Sequence, residues 1–235
     1  MVATAKRRDA VHYLAGDDTA EHELQRLIAE LLRPLIAQWL AAQGRVAHAG
    51  ADQFFYWVEG DNGVRRAPDV YVVDGVAQDV PAVSSWKVWE GHAPSFALEI
   101  VGDDWKKDYD EAPPDYEAMG AREVVVFDPW ATSRSRKRMR WQVWRRVRGR
   151  LVRVETSQGD RVQSRALGCW LRAVSEKAEP RLRLATGARG ETLVPTVAER
   201  ADALARQVED AEARAESAEA EVARLRMLLA KTDGG

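Results

Sequence analysis

The chain has 235 residues, 46% hydrophobic and 31% charged, with a formal net charge of -2. That composition belongs to a folded protein with a sizeable core, and excludes a disordered chain or one whose overall charge alone would attract nucleic acid. The single cysteine, Cys169, excludes an internal disulfide framework and a thiolate metal cluster, and no apolar run approaches the roughly 20 residues of a membrane span.

Residues 1–19 carry basic residues without an apolar stretch, so they read as a flexible N-terminal segment without a secretory signal, and the expected location is the cytoplasm. From 20 to 43, Leu24, Leu27, Ile28, Leu31, Leu35 and Ile36 recur at helical spacing. A long amphipathic helix is expected there, kinked or split at Pro34 and stopped at Gly44. Residues 53–60 (QFFYWVEG) and 68–75 (PDVYVVDG) read as strands joined tightly through Asp61-Asn62-Gly63. Further strands are expected at 96–101 (FALEIV) and 124–127, with a short helix between them that starts near Pro113-Pro114 and ends at Gly120.

Residues 141–147 and 150–156 flank Arg148-Gly149 and read as a hairpin, with Val143, Val147, Leu151 and Val154 facing the core. Short apolar runs within 167–194 have no firm place. Helix, strands, helix and strands in this order predict a mixed α+β domain around one central sheet, over residues 20–190. At Pro195 the texture changes. Thr196 and Glu199 match a capping box, and apolar or small residues from Val197 through Leu204, Val208, Val222 and Leu225 to Leu229 alternate steps of four and three. Residues 195–231 therefore read as a coiled-coil helix suited to a homodimer. With Ala201 at position a, Arg214 faces Glu219 and Glu221 faces Arg226 across a parallel pair.

Two acids stand out by their surroundings. Asp69 follows Pro68 at the mouth of an apolar strand, and Glu99 interrupts another. A carboxylate inside an apolar strand is costly unless it is paired or bound to a metal, so Glu99 has two readings: an arginine partner, or a shared divalent cation with Asp69. His22 is a further candidate for lining such a site, against the wet face of a helix. Between Asp128 and Glu155 lie ten Arg or Lys residues and no acid, with Trp130, Trp141 and Trp144 interspersed. Arg140, Arg145, Arg146 and Arg148 are the candidates there for phosphate contacts. No Gly-rich phosphate loop, GxSxG elbow or Cys/His cluster is present.

The run PDVYVVDG, then FALEIV, an Asp-Tyr segment and GAREVVVFDP resembles the Uma family of restriction endonucleases, within the PD-(D/E)XK nuclease superfamily. His22, Pro68, Asp69, Glu99, Asp108, Tyr116, Gly120, Glu123, Asp128 and Pro129 stand where that pattern has its marked positions, over about residues 20 to 190. The resemblance implies a restriction-endonuclease-like central sheet flanked by helices. It also implies Mg²⁺ or Mn²⁺ on Asp69 and Glu99, supporting roles for Asp108 and Lys107, and DNA as the substrate. The chain departs from the pattern at Ala112, where the family has its active-site lysine, and at Gly102, where it has serine. A catalytically silent binding module that dimerises through its tail is the alternative.

Overall fold

A computed structural model describes residues 23–80, 83–102, 105–176 and 179–232; the expectations for residues 1–19 and His22 fall outside them. The chain divides into two compact units between Val194 and Pro195.

Helix α1 spans Glu23–Ala42 and buries Ile28, Leu32, Leu35, Ile36 and Leu40, one face at helical spacing. It does not split at Pro34. The proline ring and the Glu30 carbonyl whose bond it removes both lie on the exposed side, where water can serve the carbonyl while Leu32 and Leu35 hold the core side. The helix ends at Gly44, whose φ of +68° lets its N–H reach the Ala41 carbonyl and the Arg45 N–H reach that of Leu40.

The strands that follow are β1 (Ala47–Gly50), β2 (Phe55–Tyr56), β3 (Arg65–Arg66), β4 (Val70–Asp74), β5 (Trp86–Lys87), β6 (Phe96–Ile100), β7 (Glu123–Phe127), β8 (Trp141–Val147) and β9 (Arg150–Ser157). The large sheet has the order β1-β4-β6-β7-β8-β9, antiparallel except for the parallel pair β6/β7. The expected pairing of 53–60 with 68–75 is corrected. Only Phe55 and Tyr56 of the first run form a strand, in a separate small sheet of order β3-β2-β5. The real partner of β4 on one side is β1, whose short AHAG sequence carries no strand signal. Gly50 is required in β1 because the Tyr71 ring of β4 occupies the space a Cβ would need.

A helical crossover joins β6 to β7. It begins before the prolines, not at them: helical turns start at Trp105, a π-helical turn covers Lys107–Glu111, and α2 follows at Ala112–Ala118. The Ala112 N–H bonds back to the Lys107 carbonyl, and this wider turn relieves the clash that Pro113 and Pro114 would make with preceding carbonyls in a regular helix. The prolines therefore do not shorten the helix.

The β8/β9 hairpin forms as expected, with Arg148 and Gly149 at positive φ in its turn. Val147 and Val154, expected in the core, are 47% and 42% exposed. Val154 is the extra residue of a bulge, since Val143 pairs with Glu155 and Trp144 with Arg153, and Val147 lies past the core at the turn. The unplaced region forms a second sheet, β10 (Arg161–Ser164), β11 (Cys169–Glu176), β12 (Glu179–Thr186) and β13 (Thr192–Leu193), antiparallel throughout.

Strand alternation divides the core in two. Val70, Val72, Leu98, Ile100, Val125 and Phe127 face α1 and the second sheet. Tyr71, Val73, Ala97 and Val124 face the other way, against Phe55, Trp86, Tyr116 and Met119 of the small sheet and α2. The second unit is helix α3, Val197–Thr232, with Leu204, Val208, Val222 and Leu225 all exposed. Its capping box closes in both directions: Glu199 accepts from the Thr196 N–H, and the Thr196 hydroxyl accepts from that of Glu199.

Leu32 is fully enclosed between α1 and the large sheet. Leu32→Ala is expected to cost about 2–5 kcal/mol of unfolding free energy, read from urea denaturation midpoints, because the rigid sheet beneath cannot collapse into the void.

Candidate active site

The antiparallel ladder between β4 and β6 ends at the pair Val70–Leu98, so one step further Asp69 stands opposite Glu99. Opposed positions put their side chains on the same face, with Cβ atoms about 5 Å apart. Here it is the face of Tyr71 and Ala97, toward α2. Asp69 Oδ2 also accepts a hydrogen bond from the Ile100 N–H, which ties the carboxylate to the end of β6. Asp69 is half-buried and Glu99 only 5% exposed.

Glu99 is held from two directions. The Tyr116 hydroxyl of α2 donates to Glu99 Oε1 at 2.7 Å, and Arg66 Nη1 of β3 lies 3.4 Å from the same oxygen. Arg66, with a side chain only 10% exposed, also donates through Nε to Asp115 Oδ2 at 2.9 Å and lies over the Tyr116 ring. Burial works against the Arg66 charge, but Glu99, Tyr116 and Asp115 hold it firmly protonated. Burial also pushes the Glu99 carboxyl above its ordinary range, opposed by Arg66, Tyr116 and Lys107. Tyr116 is driven upward by burial and by the Glu99 charge.

The π-helical turn brings Asp108 and Lys107 to this group. Asp108 is pushed up to about 7 by burial and then by Glu99, against the pull of Lys107, Arg66 and a hydrogen bond from the Gly102 backbone. Lys107 is exposed and acts on both carboxyls through its field. Ala112 is buried with no exposed surface in the α2-side core, and offers no cation. Arg66 and Gln25 escaped the sequence reading. Gln25 Nε2, from α1, donates to the Ile100 carbonyl at 2.6 Å. The one available signal for Arg66 was the need of a strand-borne Glu99 for an arginine; nothing local said which of many arginines would supply it.

Among the described residues no three Asp, Glu, His or Cys side chains group closely enough to enclose a metal ion. Mg²⁺ does not require that, since it keeps several waters and typically takes one or two carboxylates. Opposed on one face, Asp69 and Glu99 are hard oxygen donors of that kind. Burial first of all holds Glu99 and Asp108 toward their neutral forms, against the pull of Arg66 and Lys107. The residues fit a two-carboxylate site for a hard divalent cation.

The structure distributes the basic residues over both ends of the large sheet. Because β6 and β7 run parallel, Asp128 at the end of β7 lies at the same end as Glu99. Buried Asp128 accepts from Arg138 through Nε and Nη2, from the Tyr109 hydroxyl and from the Trp130 and Ala131 N–H groups. These bonds fix the loop over residues 128–140, which exposes Trp130, Arg134, Arg136 and Lys137, with Arg140 half-buried and bonded to the Ala131 carbonyl. Arg145 sits toward the other end, bound to Glu123 Oε2 at 2.7 Å on the α1 side of the sheet, away from Glu99. Arg146 donates to the carbonyls of Ala121, Glu117 and Gly149 and so closes the end of α2. Arg148 is exposed in the hairpin turn.

The Asp108 shift has a direct consequence for stability. Its folded value of about 7 lies above the ordinary 3.8, so the folded chain keeps a proton that the unfolded chain has released. Stability from this group therefore falls as pH rises from about 4 to 7. His48, whose burial lowers its own value below 6.5, acts in the opposite sense in part of that window. Comparing wild type with Asp108→Asn by urea unfolding at acidic and mildly alkaline pH isolates the Asp108 part. The variant is expected to lose less stability, or gain more, over that rise.

The chain resembles known proteins as follows. Residues 14–175 match the family described as "Uma2: Putative restriction endonuclease". Among solved structures, one described as a "putative nuclease belonging to DUF820" from Anabaena variabilis ATCC 29413 matches at 14% identity and a TM-score of 0.44. That match covers 64% of this chain and 76% of the other. No curated protein matches the chain. The family match spans well over half of the 235 residues, and the chain belongs to the Uma2 family.

Proposed function

We propose that this protein is a divalent-metal-dependent endonuclease hydrolysing phosphodiester bonds in DNA, with Asp69 and Glu99 holding Mg²⁺ or Mn²⁺. The observation that carries the reading is the placement of these two acids opposite each other on one sheet face. When bound, the ion supplies Lewis acidity toward a phosphoryl oxygen and a more acidic water. Tyr116 and Arg66 hold the Glu99 carboxylate in one orientation. Asp108, poised at about 7, suits proton transfer near neutral pH. With Ala112 in the place of the family's lysine, Arg66 is the buried cation of the site and takes over stabilisation of phosphate charge, with Lys107 at the rim. The loop over 128–140, at the same end of the sheet, holds the DNA backbone through Arg134, Arg136, Lys137 and Arg140.

The pairing of Arg66 with Glu99 also favours the second reading, a silent module that binds DNA without cutting it, because a neutralised Glu99 has less need of a metal. Plasmid nicking with Mn²⁺ separates the two. Wild type is expected to nick, Asp69→Ala and Glu99→Gln to lose about 100-fold or more, and Arg66→Lys about 10-fold. DNA binding without nicking by wild type would select the silent module.

The same reading includes a homodimer through residues 195–231, most of them in α3, in a parallel two-stranded coil. Its exposed seam would be covered by a second copy, with Arg214 facing Glu219 and Glu221 facing Arg226. Two cleavage sites would then share one particle. Sedimentation is expected to give a dimer for wild type and a monomer for Leu204→Lys with Leu225→Lys.

A further inference from the structure

At the end of the large sheet far from the carboxylate pair lies a groove of about 740 Å³. Arg45, Arg122, Arg145, Arg146 and Arg165 line it, gathered from the loop after α1, the start of β7, the end of β8 and the turn after β10. Only two acids face them. Asp74 is shared between Arg45 and Arg122. Glu123, 2% exposed, takes Arg145 together with the Ser164 hydroxyl and the N–H groups of Arg165 and Ala166. Five arginines against two carboxylates leave an excess of positive charge around the groove, the Arg146 guanidinium being turned to the carbonyls of Ala121, Glu117 and Gly149. The ion pairs hold Arg45, Arg122 and Arg145 in place, so the side-chain freedom lost on binding is chiefly that of Arg165. Arg165 is exposed, and among the described residues no ion pair or hydrogen bond reaches its guanidinium.

The groove cannot present its ligand to Asp69 and Glu99. Along β4, Asp74 lies five residues from Asp69, about 17 Å at the rise of a strand. Asp74 and Glu123 also belong to the α1 side of the sheet, and the carboxylate pair to the α2 side. We infer that this groove is a second phosphate-binding site, one that takes a stretch of nucleic-acid backbone other than the stretch presented for cleavage. Arginine is the residue suited to phosphate oxygens, and here the charges are spread around an open groove instead of closing on one ion. Only the choice of nucleic acid as the source of phosphate rests on the proposed function.

The test is a fluorescence-anisotropy titration of a labelled DNA duplex in EDTA over a range of KCl concentrations. It compares wild type, Arg165→Ala, Arg165→Glu and Arg189→Ala, the last altering an exposed arginine at the β12–β13 turn. Arg165→Ala is expected to weaken binding and to reduce the salt slope by about one unit, the share of one phosphate contact. Arg165→Glu should weaken binding further, and Arg189→Ala should leave the slope alone. Nicking with Mn²⁺ at saturating DNA should be unchanged by Arg189→Ala. Equal slopes for Arg165→Ala and wild type overturn the second site while leaving the cleavage reading intact. Altered affinity for inorganic phosphate with no change toward DNA overturns it too, in favour of a small-anion site. Lost nicking at Asp69→Ala together with a normal Arg165 effect confirms both, and binding without any wild-type nicking removes the cleavage reading alone.

Discussion

The burial of Glu99 is the constraint around which one whole side of the molecule is arranged. A carboxylate at 5% exposure in the middle of a sheet is tolerable only with charge and hydrogen bonds brought to it, because leaving such a group uncompensated costs several kcal/mol. Tyr116 and Arg66 bring them, and each comes from a different element. Tyr116 pins α2 to β6, and Arg66 pins the small sheet to the same point while Asp115 ties it back to α2. The site is therefore also the joint between three parts of the fold.

Strand alternation then decides what can cooperate with that joint. A shift of one residue along a strand moves a side chain to the opposite face, so Asp69 shares a face with Glu99 while Asp74, five positions on, does not. The same rule separates the arginines. Those of the loop at 128–140 come to the carboxylate end through the parallel pairing of β6 and β7, and Arg145 is carried to the other end and face by its pairing with Glu123. A continuous basic stretch in one dimension becomes two surfaces in three.

What could be read from the residues alone follows this distinction between local and distant determinants. The stop of α1 at Gly44, the β8/β9 turn and the capping box at Thr196 depend on neighbours within a few positions, and these were legible. So were β4, β6 and β7, whose apolar runs need only burial on both faces. The strand β1 was not, because Ala47–Gly50 holds no β-former of its own, and its glycine answers to the Tyr71 ring across the ladder. The crossover helix was placed too late because proline was read as a start, when a π-helical turn lets the chain pass through Pro113 and Pro114. At the site, Asp69 and Glu99 were visible as acids in apolar company. Arg66 was hidden because its partner lies 33 positions away and its own neighbours, Arg65 and Ala67, give it no distinction.

The alanine at position 112, where the family resemblance implies a lysine, is to be judged in this light. Ala112 packs against the apolar core beside Tyr116 and Ala97, so a lysine there would have to thread its stem past that core to reach Glu99. Arg66 reaches the same carboxylate from the opposite element, already anchored by Asp115 and the Tyr116 ring. A guanidinium also stays charged where burial would neutralise an ammonium, so a cation in so enclosed a place is better supplied by arginine. What arginine cannot do at neutral pH is give up a proton. Among the described residues around Glu99, Asp108 is pushed up to about 7, where a carboxyl can both give and take a proton.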